Sequence, residues 1–92
     1  MAEVIWTIEA LEDLASIRAY IAQFDPDAAN RVSDRLLNAG KGLSIFPERG
    51  PNTGDGTRKL SIVWPYIIQY RVSGEQVYLL GIRHGARMPR QD

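Results

Sequence analysis

A chain of 92 residues, 45% apolar and 24% charged, has the size and composition of one globular domain, residues 1–92, with a single modest core. With no cysteine and one histidine it can form no disulfide scaffold, no thiol nucleophile and no thiolate or histidine-cluster metal site, so neither metal nor cofactor is expected. Its formal net charge is zero, yet residues 1–57 hold nine acids and five bases while residues 58–92 hold two acids and six bases, which divides the chain into an acidic front and a basic back.

In chain order, Glu3-Val4-Ile5-Trp6 reads as a short strand, after which Thr7 offers its hydroxyl as a helix N-cap, with Trp6 and Leu11 spaced as a hydrophobic staple. Leu11, Leu14, Ile17, Ile21 and Phe24 follow at three- and four-residue steps on one stripe, with Glu12, Asp13 and Arg18 turned outward. The acids Glu9, Glu12 and Asp13 then serve the helix dipole and solubility. Asp25-Pro26-Asp27 ends that helix and starts another, because proline at the first helical position forfeits no hydrogen bond. The second helix carries Val32, Leu36, Ala39, Leu43 and Phe46 and must stop by Pro47. Gly40 and Gly42 within it mark close backbone approach to a neighbour. The short break predicts an αα-hairpin.

Residues 47–57, rich in glycine and proline, form a loop into three strands: Arg58–Val63, Tyr66–Val72 and Val77–His84. With Ser73-Gly74-Glu75 as a three-residue hairpin loop, Tyr70 faces Tyr78, Ile68 faces Leu80 and Tyr66 faces Ile82, an apolar side that covers the helices. The other side shows Gln69, Arg71, Leu79, Gly81 and Arg83, an open docking surface with two arginines and no carboxylate. The predicted class is α+β: N-terminal strand, αα-hairpin, three-stranded antiparallel meander (βααβββ). No segment has membrane-span length and the start lacks signal-peptide order, so a cytoplasmic location with no membrane partner is expected.

This order and six sequence blocks resemble the RelE/ParE superfamily of toxins from type II toxin–antitoxin modules, and within it the ParE branch. The blocks are Trp-x-x-x-Ala-x-x-Asp-Leu-x-x-Ile-x-x-Tyr-Ile-Ala from Trp6 to Ala22, Asp25-Pro-x-Ala-Ala29, Leu43-x-x-Phe-Pro-x-x-Gly50, Gly56-Thr57-Arg58, Pro65-Tyr66 and His84-Gly85-Ala86-Arg87. The resemblance implies a toxin that blocks growth when free and is neutralised by a ParD-like antitoxin wrapping a helical and extended segment around it. Tyr20, Phe24, Trp64 and Tyr66 are the candidate antitoxin anchors, as exposed aromatics able to bury large area.

The superfamily also frames two targets. ParE-like members are associated with inhibition of DNA gyrase by binding, and RelE-like members cut messenger RNA in the ribosome. Cutting at a 2′-hydroxyl needs a base, an acid and cations. Arg71, Arg83 and Arg87 could supply charge, with His84 as acid or base, since its ordinary pKa lies near neutrality. Against this, His84 shares strand parity with Leu80 and Ile82, so packing at the core rim is the stronger reading. The zero net charge also argues against direct nucleic-acid binding, and Gly85 and a tyrosine-free tail stand where such nucleases carry an aromatic. A gyrase-binding toxin with no catalytic residues is therefore expected, using Arg83, His84, Arg87 and Arg90 as target contacts. A ribosome-dependent endoribonuclease is the alternative, and a non-toxic interaction module or relic the third.

Overall fold

The side chain of Thr7 joins the first two elements. In the computed structural model, which describes residues 1–85, its hydroxyl accepts from the Ala10 N–H (3.2 Å) and donates to the Leu79 carbonyl (2.7 Å), so one residue both caps a helix and ties it to the sheet. The elements run β1 (Glu3–Trp6), α1 (Ile8–Ala22), α2 (Pro26–Gly42), β2 (Arg58–Val63), β3 (Tyr66–Ser73) and β4 (Gln76–His84), which is the expected βααβββ order. Asp25 caps α2 by accepting from the Ala28 N–H at 3.1 Å, with Pro26 at the first helical position. The four strands pair in the order β1-β4-β3-β2. β1 lies parallel to β4 and the other pairs are antiparallel, so the N-terminal strand extends the meander at its β4 edge.

Ala10, Leu14, Leu36, Ala39 and Leu43 from the helical side meet Leu60, Val63, Tyr66, Ile68, Tyr70, Val77, Leu79 and Ile82 from the sheet in one core. Gly40 allows the contact: a Cβ there would stand 2.7 Å from the Trp6 ring and 2.8 Å from Leu79 Cδ1. Gly42, also expected to mark close approach, has open space around it.

The stripe expected on α1 is shifted. Ala10, Leu14, Ile17 and Ile21 face inward, whereas Leu11 is about half exposed and Phe24, beyond the helix end, is exposed. Trp6 packs on Gly40, and Asp13, expected outward, turns toward the sheet. α2 ends at Gly42 rather than near Pro47, because the N–H groups of Leu43, Ser44 and Ile45 reach back three residues instead of four. That tightening swings Phe46 off the stripe and into solvent.

β4 departs furthest from expectation. The β3–β4 turn has two central residues, Gly74 and Glu75, with Ser73 paired to Gln76 and Gly74 at φ 61°, the arrangement of a II′ turn. Tyr70 therefore faces Leu79, Ile68 faces Ile82 and Tyr66 faces His84, with a register shift that leaves Leu80 as an extra residue. A straight strand could bury Val77 and Leu79 or Ile82 and His84, not both sets. The bulge turns both sets to the helices. Leu79, expected on the open side, is fully buried, while Tyr78 and Leu80 are only partly covered.

The loop 47–57 is fixed from the core. The buried Tyr70 hydroxyl accepts from the Gly50 N–H (2.8 Å) and donates to the Pro47 carbonyl (2.9 Å). Arg58 donates to the carbonyls of Gly50 (2.7 Å) and Glu48 (3.3 Å), which pins the loop backbone to β2. Asp55 accepts from the hydroxyls of Thr53 (2.7 Å) and Thr57 (2.6 Å) and from the Thr57 N–H (3.1 Å).

Candidate functional site

Neighbouring residues on a strand point to opposite sides, so the bulge decides where the basic end of β4 faces. Arg83 stands exposed on the helix-distal side, opposite Ile67 of β3. His84 turns to the helix side, half buried, with its ring edge-on to Tyr66 at 5.3 Å between centroids. That is the core-rim placement its parity suggested. Arg71 lies on the same helix-distal side as Arg83 but beside Tyr78 at the hairpin end, where its Nη1 donates to the Gly56 carbonyl at 3.4 Å. Four residues of β3 separate Arg71 from Ile67, the residue opposite Arg83, about 13 Å at the rise of an extended strand. Arg71, Arg83 and His84 thus do not converge. Arg87 and Arg90 lie outside the described residues.

Tyr20 links two of the other aromatic candidates, touching Phe24 and sharing a cleft with Tyr66. Tyr20 and Phe24, 52% and 73% exposed, contact each other edge-on at 5.4 Å where α1 runs out. Trp64, 70% exposed, stands in the β2–β3 turn; a Cβ on Gly85 would lie 3.4 Å from its ring. Tyr66 corrects the expectation of an exposed anchor, because its even strand parity buries it. With Ser16, Ile17, Tyr20, Ile82 and His84 it lines a cleft of about 300 Å³ between α1 and the sheet. Residues expected to serve separate partners, Tyr20 and His84, therefore share one recess.

Two further features escaped the sequence reading. The solvent side of α1 is also apolar: Ile8 and Leu11 are exposed, followed by exposed Ala15, Ala19 and Ala22. Ala15, Ala19 and Ala22 border a groove of about 340 Å³ shared with Pro26, Ala29 and Asn30 of α2. A second apolar stripe on one helix was visible in its composition, since α1 has few polar residues after Asp13. The other feature is the Asp13 carboxylate, whose Oδ2 accepts from the Ile82 N–H at 2.9 Å. Gly81 was its signal, since glycine inside a strand often marks a bulge.

Electrostatically, the hydroxyls of Thr53 and Thr57 and the Thr57 N–H hold the Asp55 carboxyl well below the usual carboxylate range. That charge belongs to the loop's internal order. Among the described residues, no three His, Cys, Asp or Glu side chains gather as metal ligands, and no helix is long and apolar enough to cross a membrane.

Residues 4–89 match the family described as "ParE toxin of type II toxin-antitoxin system, parDE", which is nearly the whole chain. The chain belongs to the ParE toxin family. This ParE-family toxin is 47% identical to Toxin RelE2 of Caulobacter vibrioides over 96% of the chain and 100% of that relative, and 33% identical to Toxin RelE1 of the same organism over 89% and 91%. Among solved structures it is similar to one titled "Chromosomal ParDE TA system from P. aeruginosa", with TM-score 0.80 and 26% identity over 91% of this chain and 96% of that one. It is a type II toxin of the RelE/ParE superfamily in fold and family alike.

Proposed function

We propose that this toxin inhibits growth by binding a DNA gyrase subunit, not by catalysis, and that a ParD-like antitoxin neutralises it in the cytoplasm. The observation that carries this is the divergence of Arg83 from His84: the only described histidine packs on Tyr66, while Arg83 and Arg71 lie on the opposite side of the sheet and apart along it. General acid–base cleavage of RNA needs those groups about one scissile phosphate. Exposed tryptophan and exposed arginine are instead the residue types of a protein-binding hot spot. Trp64 and Arg83 are the described residues that fit it, joined in sequence by Arg87 and Arg90.

For the antitoxin, the apolar outer stripe of α1 and the groove it shares with α2 suit an amphipathic helix, with Tyr20 and Phe24 as anchors at its end. The similarity to a solved ParDE system supports such a partner.

A second reading, a ribosome-dependent endoribonuclease, is favoured by Trp64. Its ring lies beside Gly85 and supplies an aromatic next to His84 where the sequence lacked one. The RelE names of the Caulobacter relatives point the same way. One preparation separates the two: inhibition of supercoiling by gyrase, abolished by Arg83→Ala and kept by His84→Ala, supports the binding toxin. Cleavage of messages during translation, lost on His84→Ala, overturns it.

A further inference from the structure

We propose that Asp13 is a positioning residue for the target-binding end of the sheet, through the β4 bulge that it holds open. Ile82 follows the register shift by two residues and is only 5% exposed, and its N–H is taken by a side chain rather than by a strand. Asp13 Oδ2, 69 residues earlier in the chain, is the acceptor at 2.9 Å. The neighbouring residue makes room for it: a Cβ on Gly81 would sit 3.0 Å from that same oxygen. Carboxylate, glycine and bulge form one unit spanning α1 and β4.

The consequence falls on the two residues that follow. If β4 kept the parity of Val77 and Leu79 without the extra residue, position 83 would face the helices and position 84 the open side. Arg83 would then press its guanidinium toward the cleft beside Tyr66, and His84 would lie outside. With the bulge held, Arg83 is exposed and His84 packs on Tyr66. Asp13 thus selects which of the two is offered to a partner. The functional weight of that choice rests on Arg83 being a target contact, while the geometric claim does not.

The absence of cysteine makes the orientation measurable, because a single introduced thiol reports alone. Arg83→Cys should label faster with a thiol reagent than His84→Cys. Adding Asp13→Ala should bring the two rates together, whereas Asp13→Asn, whose amide oxygen accepts the same N–H, should keep them apart. In the binding assay, Asp13→Ala should weaken gyrase inhibition about tenfold and Asp13→Asn should stay near the unmodified toxin. If Asp13→Ala does not fold, Gly81→Ala, which crowds the carboxylate, should narrow the labelling difference in the same direction. Slow hydrogen exchange of the Ile82 amide in the unmodified protein is also required. Equal labelling rates before any change at Asp13, rates unaltered by Asp13→Ala, or a fast-exchanging Ile82 amide would each overturn the proposal. Gyrase inhibition untouched by Arg83→Ala would instead remove the functional reading and leave the labelling result standing.

Discussion

At the hairpin end of the sheet the polar groups are engaged within the molecule. Arg71 donates to the Gly56 carbonyl, Gln69 donates to Thr57 Oγ1, and Asp55 is held by Thr53 and Thr57. The opposite end leaves Tyr20 exposed at a cleft, with Phe24, Trp64 and Arg83 also in solvent. The same basic sheet therefore treats its two ends differently. One end stabilises a long loop, and the other presents aromatic and cationic surface at a cost in exposed apolar area that only a partner would recover.

The difference can be broken or sharpened by substitution. Between the two ends sits the bulge, and Leu79→Ala should destabilise the fold by about 3 kcal/mol, whereas Leu80→Ala should cost under about 1 kcal/mol. Urea denaturation of both checks that β4 buries its odd residues before the bulge. Tyr70→Phe removes the hydroxyl that serves Pro47 and Gly50, and should cost about 1–2 kcal/mol in the same measurement.

A subtler effect concerns pH. Asp55 is depressed in the folded state from its ordinary value of 3.8, so its contribution to stability is whole above that pH. It fades only as pH falls from there through the lower folded value. Thr53→Val should move the Asp55 carboxyl resonance, followed by carbon NMR, back toward the ordinary titration range. At the partner end, Trp64→Ala should change stability by less than about 0.5 kcal/mol, because the ring is mostly in water. Loss of growth arrest without loss of stability would mark Trp64 as contact surface. A large stability loss would place it with the core.

Much of the fold was legible because it is local. Thr7 and Asp25 announce both helix starts by accepting from the N–H three positions on, and Pro26 adds a backbone already set for the first helical position. The even residues of β3 keep one period throughout, so the burial of Ile68 and Tyr70 follows from alternation. The same alternation contradicts Tyr66 as an exposed anchor. Three failures lie where periodicity is interrupted, Phe24 and Phe46 past helix ends and Leu79 before a bulge, while Leu11 and Asp13 fail within α1 because its buried stripe is rotated. At the candidate site, parity alone put His84 at the core rim. The proximity of Tyr20 to His84, and of Trp64 to Gly85, joins residues that no pattern within a single element relates.

What the sequence determined by itself is the order of elements, their caps, the family and the polarised charge, each set by neighbours a few positions away. Tertiary structure alone decided that Val77 and Leu79 share the buried side of β4 with Ile82 and His84. Strand register is a property of two paired chains, and this bulge is also anchored by an acceptor 69 residues distant on a helix. The change of parity within β4 therefore depends on packing between α1 and β4, and no local propensity encodes it.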